Sequence, residues 1–407
     1  MKVFADLQLH SRYAIATSRD MDLEHLAEGG RRKGLNLLGT GDFTHPRWLS
    51  ELKSKLEPES GAGLYTYRGM RWMLSGEVCT VYEQGGKKRK VHHLIYSPDF
   101  EVADHIVEAL SPFGNLASDG RPVLTGIDSP GLVEVLTQVS DQVVVIPAHA
   151  WTPWFGALGS KSGFDSLKEC YGDQAHKIFA LETGLSSDPP MNWRLEQLDD
   201  ISLVSNSDAH SPNPWRLGRE ANVFELEEVT YKEVFSAIRG KNPSRFLFTI
   251  EVDPSYGKYH YSGHKKCGIS LSPSEAAQAG NRCPKCGRKL TVGVLQRVGA
   301  LADRSEGYVR PGGVPFKRLL PLSELISRVR GLRSLLSKKV LEQQDALIAG
   351  LGSELRVLLE ASHAEITKLS DPKVADAVMT VREGRLDFTP GYDGVYGVPL
   401  FEHLKQG

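Results

Sequence analysis

The chain opens on a short apolar run at residues 3–7, changes at residues 23–33 to apolar positions three and four apart, and returns to an apolar run at residues 35–40. Short apolar runs read as strands and a spacing near 3.6 as an amphipathic helix, so the start reads strand, helix, strand. The alternation continues, with strands predicted at residues 73–79, 92–96, 143–147, 178–183 and 203–206 and helices at 100–110, 131–139 and 231–239. Repeated βα units favour an α/β fold built on a parallel sheet or a barrel, with functional groups at the C-terminal ends of the strands.

The pattern breaks at Asp253-Pro254-Ser255-Tyr256-Gly257. Beyond it, helices are predicted at 291–303, 322–329, 335–348 and 362–383, and a Gly/Pro-rich ending at 389–399 reads as an extended tail or a set of loops. Three regions are therefore expected: 1–250, 255–300 and 301–407. The 407 residues, 40% hydrophobic, supply more than one core. No run reaches the roughly 20 apolar residues of a membrane helix, and the start lacks a signal-peptide pattern, so a soluble, cytoplasmic protein without a membrane partner is expected.

A formal charge of -1 conceals an uneven distribution. Residues 1–254 carry 26 Lys or Arg against 35 Asp or Glu, residues 255–350 carry 17 against 6, and residues 351–407 carry 6 against 9. The middle block is suited to phosphates, and the acidic first region could offset its charge with divalent cations.

Candidate ligands recur directly after the predicted strands: His10, Asp42, Glu77, the pair His92-His93, His149, and Asp208 with His210. Such groups are costly next to a core unless satisfied, and a barrel would bring the loops that carry them to one rim. Mixed imidazole and carboxylate donors suit Zn2+, Mn2+ or Fe2+ better than Mg2+, and at least two ions are expected. Neighbouring strand residues face opposite ways, so one of the His92-His93 pair is expected to be a ligand, and the adjoining Leu94-Ile95 favours His93.

Three of the five cysteines fall close together. His264-x2-Cys267 and, after 15 residues, Cys283-x2-Cys286 have the spacing of a structural zinc site of one nitrogen and three thiolates, with His260 competing for the nitrogen position. Lys265, Lys266, Lys285, Arg288 and Lys289 surround these knuckles and are candidates for contact with a DNA backbone. Trp151 and Trp154, just beyond His149, are candidates for a stacking platform under a base turned out of a duplex.

The order Asp6-Leu7-x-x-His10-Ser11, Gly39-Thr40-Gly41-Asp42, Gly76-Glu77-Val78, His92-His93-Leu94-Ile95, Ala148-His149-Ala150 and Ser207-Asp208-Ala209-His210 resembles the PHP (polymerase and histidinol phosphatase) phosphoesterases over residues 1–250. With the downstream zinc module and the ending Pro390-Gly391-Tyr392-Asp393-Gly394-Val395-Tyr396-Gly397, nearly the whole chain is similar to the endonuclease Q family. The resemblance implies a distorted seven-stranded βα barrel followed by a zinc module and a helical C-terminal region. It also implies metal ligands at His10, Glu77, His93, His149, Asp208 and His210, and catalysis by His149, Asp208 and His210 with bound Zn, Mn or Mg. The implied activity is cleavage of DNA on the 5' side of deaminated bases (uracil, hypoxanthine, xanthine), with abasic sites as further substrates and an unidentified repair-protein partner. Two departures weaken the case for a third metal: position 8 is Gln where the family pattern begins His-x-His, and Phe43 comes after Asp42 where many relatives have His. The rival readings are a PHP-type phosphatase of small molecules and a DNA-binding module with a decayed metal site.

Overall fold

The computed structural model describes residues 1–332 and 334–401. Strand β1 (Lys2–Asp6) leads through helix α1 (Leu23–Lys33) to β2 (Leu37–Gly39), which lies parallel to it, and β2 lies parallel to β3 (Met70–Gln84). β3 turns back antiparallel as β4 (Lys87–Ser97), and β4 pairs antiparallel with β5 (Val144–Pro147). Next come β6 (Ala180–Glu182) and β7 (Ser202–Val204), a parallel pair, then β8 (Ala221–Glu225) and β9 (Phe246–Glu251). β8 runs antiparallel to both β1 and β9.

The sheet is thus mixed, where the βα alternation favoured parallel pairing. The reason is local: two residues separate β3 from β4, enough for a hairpin and far too few for the crossover that parallel neighbours need. β3 and β4 also extend well beyond the predicted 73–79 and 92–96, because their distal halves are polar and fail the apolar criterion.

The β6–β7 pair is tied to both flanks. Toward β5, Ala150 N donates to Glu182 O at 3.0 Å; toward β1 and β8, Leu7 N donates to Asn206 Oδ1 at 2.9 Å and Ser205 N to Asn222 Oδ1 at 3.0 Å. The segments leaving β1, β2, β5 and β7 therefore gather at one mouth.

Helix α1 shows how sequence sets these elements. Asp22 caps it by accepting from His25 N, Gly34 ends it in the left-handed region at φ 101°, and Leu23, Leu26 and Ala27 bury its apolar stripe. In the C-terminal region the helices are Leu322–Val329, Lys338–Leu351, Glu354–Leu359, His363–Leu369 and Pro372–Arg382. The helical stretch expected within 362–383 is two helices, because Pro372 cannot continue the first and Asp371 caps the second through Lys373 N. The Gly/Pro-rich tail is a hairpin: Asp387–Thr389 pairs antiparallel with Val398–Leu400. No helix among the described residues is long and apolar enough to cross a membrane.

One buried ion pair joins the two ends of the chain. Lys33 Nζ, at the end of α1, donates to Glu354 Oε1 at 2.7 Å and to Pro214 O at 2.8 Å, with both side chains almost wholly buried. Glu354 also accepts from Leu322 N and Gln344 Nε2, which fixes the C-terminal helices on α1. Lys33→Met leaves that carboxylate buried without its cation and is expected to cost about 3–5 kcal/mol in urea unfolding, most of which a second change, Glu354→Leu, restores.

Candidate metal centre and cleft

Three of the predicted site residues stand in a backbone conformation that side chains seldom adopt: Asp42 at φ 48°, His149 at φ 30° and Asp208 at φ 49°. Each lies just past a strand, and the strain is of the kind retained where surrounding structure enforces a functional geometry. Gly41 (φ 62°) has a steric reason to be glycine, since a Cβ there would stand 2.2 Å from Leu9 O.

Two groups of ligands face each other across Glu77. His10, Asp208 and His210 form one; Glu77, His92 and His149 form the other, and in each the ligand atoms lie within 4.8 Å of one another. Glu77 connects them, its Oε2 standing 3.4 Å from His10 Nε2 while Oε1 lies 2.6 Å from His92 Nδ1 and 3.7 Å from His149 Nε2. His10 Nε2 is 3.1 Å from Asp208 Oδ1.

The chemistry of these atoms fits divalent cations. His10 Nε2, Glu77 Oε1 and Asp208 Oδ1 are buried without a hydrogen-bond partner, an expensive state for donors and acceptors unless an ion completes it. Burial would push Glu77 up, yet the imidazoles of His92 and His149 and the Arg121 guanidinium beside it hold its carboxyl well below the usual range. Burial pushes His92 down to about 4, so its imidazole is neutral and ready to ligate.

Surrounding groups orient the ligands. Asp42 spends Oδ1 on His10 Nδ1 (2.9 Å) and Oδ2 on Ser11 N (2.6 Å) and Ser11 Oγ (2.8 Å), which aims His10 Nε2 inward. Glu182 Oε2 accepts from His149 N at 2.7 Å, and the Asp208 carbonyl lies 2.8 Å from His210 Nδ1. Such outer contacts fix ring orientation and ligand basicity.

Three sequence expectations change here. His93 does not join the centre: it sits 3.0 Å from Thr80 Oγ1 and from Tyr171 Oη on the far face of β4, so strand alternation puts His92 inside. Asp42 belongs to neither ligand group and holds His10 in place. Trp151 is wholly buried, its indole N–H donating to Asn192 Oδ1, so it packs the core and does not line the cleft, whereas Trp154 reaches the cleft and meets the Tyr259 ring edge-on. Gln8 is no ligand: its Nε2 donates to Glu77 Oε2 at 2.7 Å. Phe43 is fully buried beside Gly76.

His92 and His93 offer a direct contrast. His92→Gln is expected to lower divalent-metal affinity by about 10-fold or more, while His93→Gln leaves it unchanged, as read by titration calorimetry with Mn2+.

The centre forms the floor of a cleft of about 690 Å3. Its walls include Arg121, Phe155, Arg216, Lys258, Tyr259 and Tyr396, none of which the strand-end pattern marks. Arg121, Arg216 and Lys258 lie in loops, and Tyr396 arrives from the C-terminal hairpin, with Arg216 and Lys258 over its ring. The one signal that could have found Tyr396 is the Gly-rich run Gly391 to Gly397, whose glycines pass against Gly257 O and Ser255 O.

Beside the cleft, His264, Cys267, Cys283 and Cys286 converge in one group, which resolves the choice of nitrogen in favour of His264; His260 stacks on Tyr261 outside it. Lys265, Lys266, Lys285, Arg288 and Lys289 are all exposed on this module. The segment after His149 anchors it: Ser160 Oγ donates to Val292 O, and Arg297 reaches back to the carbonyls of Leu158 and Phe164.

Comparison with known proteins places this architecture. The lesion-specific endonuclease of Pyrococcus furiosus, endonuclease Q, shares 34% identity and superposes with a TM-score of 0.88 over 100% of this chain and 97% of its own. The chain belongs to the endonuclease Q family. It is a metal-dependent nuclease in that fold. An endonuclease Q complex with a 27-mer duplex bearing an abasic lesion at its active site matches at 35% identity and TM-score 0.89, over 100% of this chain and 98% of that one. Residues 321–385 match the family model described as the MJ0043 C-terminal domain. An uncharacterized protein of Methanocaldococcus jannaschii, MJ0043, is 34% identical over 264 residues, 63% of this chain, and the match spans about a third (32%) of that protein's length. The uncharacterized Bacillus subtilis protein YqxK is 28% identical over 97% of this chain and 98% of its own.

Proposed function

We propose that this endonuclease Q family member acts in DNA repair by hydrolysing the phosphodiester 5' to a deaminated base (uracil, hypoxanthine or xanthine) and also at abasic sites. The observation that carries the reading is buried Glu77 placed between His10 on one side and His92 and His149 on the other, at the floor of a cleft that opens beside an exposed basic module. In this reading residues 1–250 are a PHP phosphoesterase domain, a seven-stranded barrel closed by the ties that β6 and β7 make to β5 and to β1. Residues 255–300 are the zinc module and 301–407 the C-terminal region.

His10, Glu77, His92, His149, Asp208 and His210 would hold the catalytic ions, and this imidazole-rich set favours Mn2+ or Zn2+ over Mg2+. Divalent ions there supply an activated water and positive charge against the phosphate oxygens. His149, Asp208 and His210 are the catalytic set, positioned respectively by Glu182, the strained turn after β7 and the Asp208 carbonyl. Gln8 replaces a would-be ligand yet fixes Glu77, so the centre retains a purpose for that position. Lys265, Lys266, Lys285, Arg288 and Lys289 contact the duplex backbone, while Trp154, Phe155, Tyr259 and Tyr396 receive a base turned out of the helix.

The test is cleavage of end-labelled duplexes containing uracil, hypoxanthine, an abasic site or an ordinary base, with product ends mapped under Mn2+, Zn2+ and Mg2+. A nick on the 5' side of the lesion alone supports the reading. Equal cutting of ordinary duplex, or release of phosphate from small monoesters only, contradicts it.

A further inference from the structure

Arg121 stands on the loop between the helix Phe100–Leu110 and the strand Val123–Thr125, and its backbone is pinned on every side. Gly120 N donates to Tyr13 O, Asp119 Oδ1 accepts from Ile15 N and Arg121 N, and Pro122 O accepts from Cys79 N. Gly120 lies so close to Asp42 that a Cβ would stand 2.2 Å from Asp42 Oδ2, which seats the loop directly against the group that orients His10.

The guanidinium has no corresponding commitment. It is about three-quarters buried in the cleft wall, lies 3.7 Å from Glu77 Oε1, and makes no side-chain hydrogen bond among the described residues. The other two arginines of the cleft do: Arg219 gives Nε and Nη2 to Ser207 O, and Arg216 gives Nη1 to Tyr396 Oη. Its pairing with Glu77 is a long one: Glu77 Oε1 at 3.7 Å is within ion-pair range but beyond hydrogen-bond distance, and Glu77 Oε2 takes its hydrogen bond from Gln8. A rigid mount, a five-donor fork whose N–H groups make no hydrogen bond among the described residues, and a position beside both ligand groups describe a receptor for a planar or tetrahedral oxyanion.

Building on the nuclease reading above, we propose that Arg121 is a further catalytic residue, whose guanidinium grips a non-bridging oxygen of the scissile phosphate. During hydrolysis a P–O bond forms to the oxygen of water and the P–O bond to the departing sugar oxygen breaks. The water proton ends on that sugar oxygen. Arg121 neither gives nor takes a proton; it stabilises charge on the phosphoryl oxygens, charge that is greatest when both bonds are partial.

The test uses the full chain as R121A and R121K against wild type. Single-turnover cleavage of an abasic duplex in Mn2+ is measured alongside duplex affinity, calorimetric titration of inorganic phosphate, and metal content. R121A is expected to cut about 10^2–10^3-fold more slowly with duplex affinity within about threefold, to bind phosphate at least about tenfold more weakly, and to keep its metals. R121K is expected to recover only part of the rate, since a point charge cannot replace the fork. Unchanged rate and phosphate affinity in R121A overturn the proposal, as does loss of metal, which would make Arg121 a structural counter-ion. Should the wild type cut no duplex, the nuclease reading fails by itself, and the phosphate titration still decides Arg121 by the same criterion.

Discussion

Asp208→Asn is expected to slow single-turnover cleavage of an abasic duplex by about 10^2–10^3-fold or more while duplex affinity stays within about threefold. The substitution keeps size and removes charge at the point where His10, His210 and the cleft meet. The asparagine is a poorer ligand, so the first group loses its only carboxylate. The basic residues proposed to touch the DNA backbone, Lys265, Lys266, Lys285, Arg288 and Lys289, lie on the cysteine module and are untouched by this change, which is why binding is expected to persist. Rate measured against enzyme excess, with fluorescence anisotropy for affinity, separates the two quantities; a parallel fall of both would place Asp208 in DNA binding instead.

Cys283→Ala carries the second large effect. Cys283 is buried with Ala276 and Leu290 in a three-residue core, too small to hold the module without metal, and structural zinc contributes on the order of 10 kcal/mol to such sites. The variant is expected to lose the metal proposed for the module and, with it, the arrangement of Lys265, Lys266, Lys285, Arg288 and Lys289. Duplex affinity then falls by more than about tenfold at low salt, and the dependence of binding on salt flattens because fewer phosphates are neutralised. Metal analysis and anisotropy across a salt series check both; an unchanged salt slope would mean that the module's cations do not touch the backbone.

How much of this was legible in the sequence depended on the range of the interaction concerned. Helices at 23–33, 100–110 and 322–329 agree with the pattern residue for residue, and in the first two a side-chain cap, Asp22 or Asp99, fixes the start. The His264/Cys267/Cys283/Cys286 convergence stems from two short-spaced pairs whose separation the chain can close. The strand-end positions His10, His149, Asp208 and His210 also meet, because neighbouring strands carry their C-terminal loops to one rim, where Glu77 joins them from the middle of β3.

The expectations that failed required knowledge of facing and packing. His92 and His93 are interchangeable in composition, and only the register of β4 against β3 and β5 decides which ring turns inward. Trp151 and Trp154 lie in one loop, yet an internal partner, Asn192, draws the first into the core. Arg121 and Tyr396 enter the cleft from a loop and a hairpin far along the chain, where no periodicity advertises them. Gln8, taken alone, suggests decay; its contact with Glu77 shows a supporting amide.

The most direct measurement of the central claim is anomalous diffraction from crystals soaked in Mn2+. Two peaks in the cleft, one beside His10, Asp208 and His210 and the other beside His92 and His149, with Glu77 reaching both, are the predicted result. Anomalous density confined to the cysteine module, with the cleft free of metal at saturating Mn2+, would contradict it.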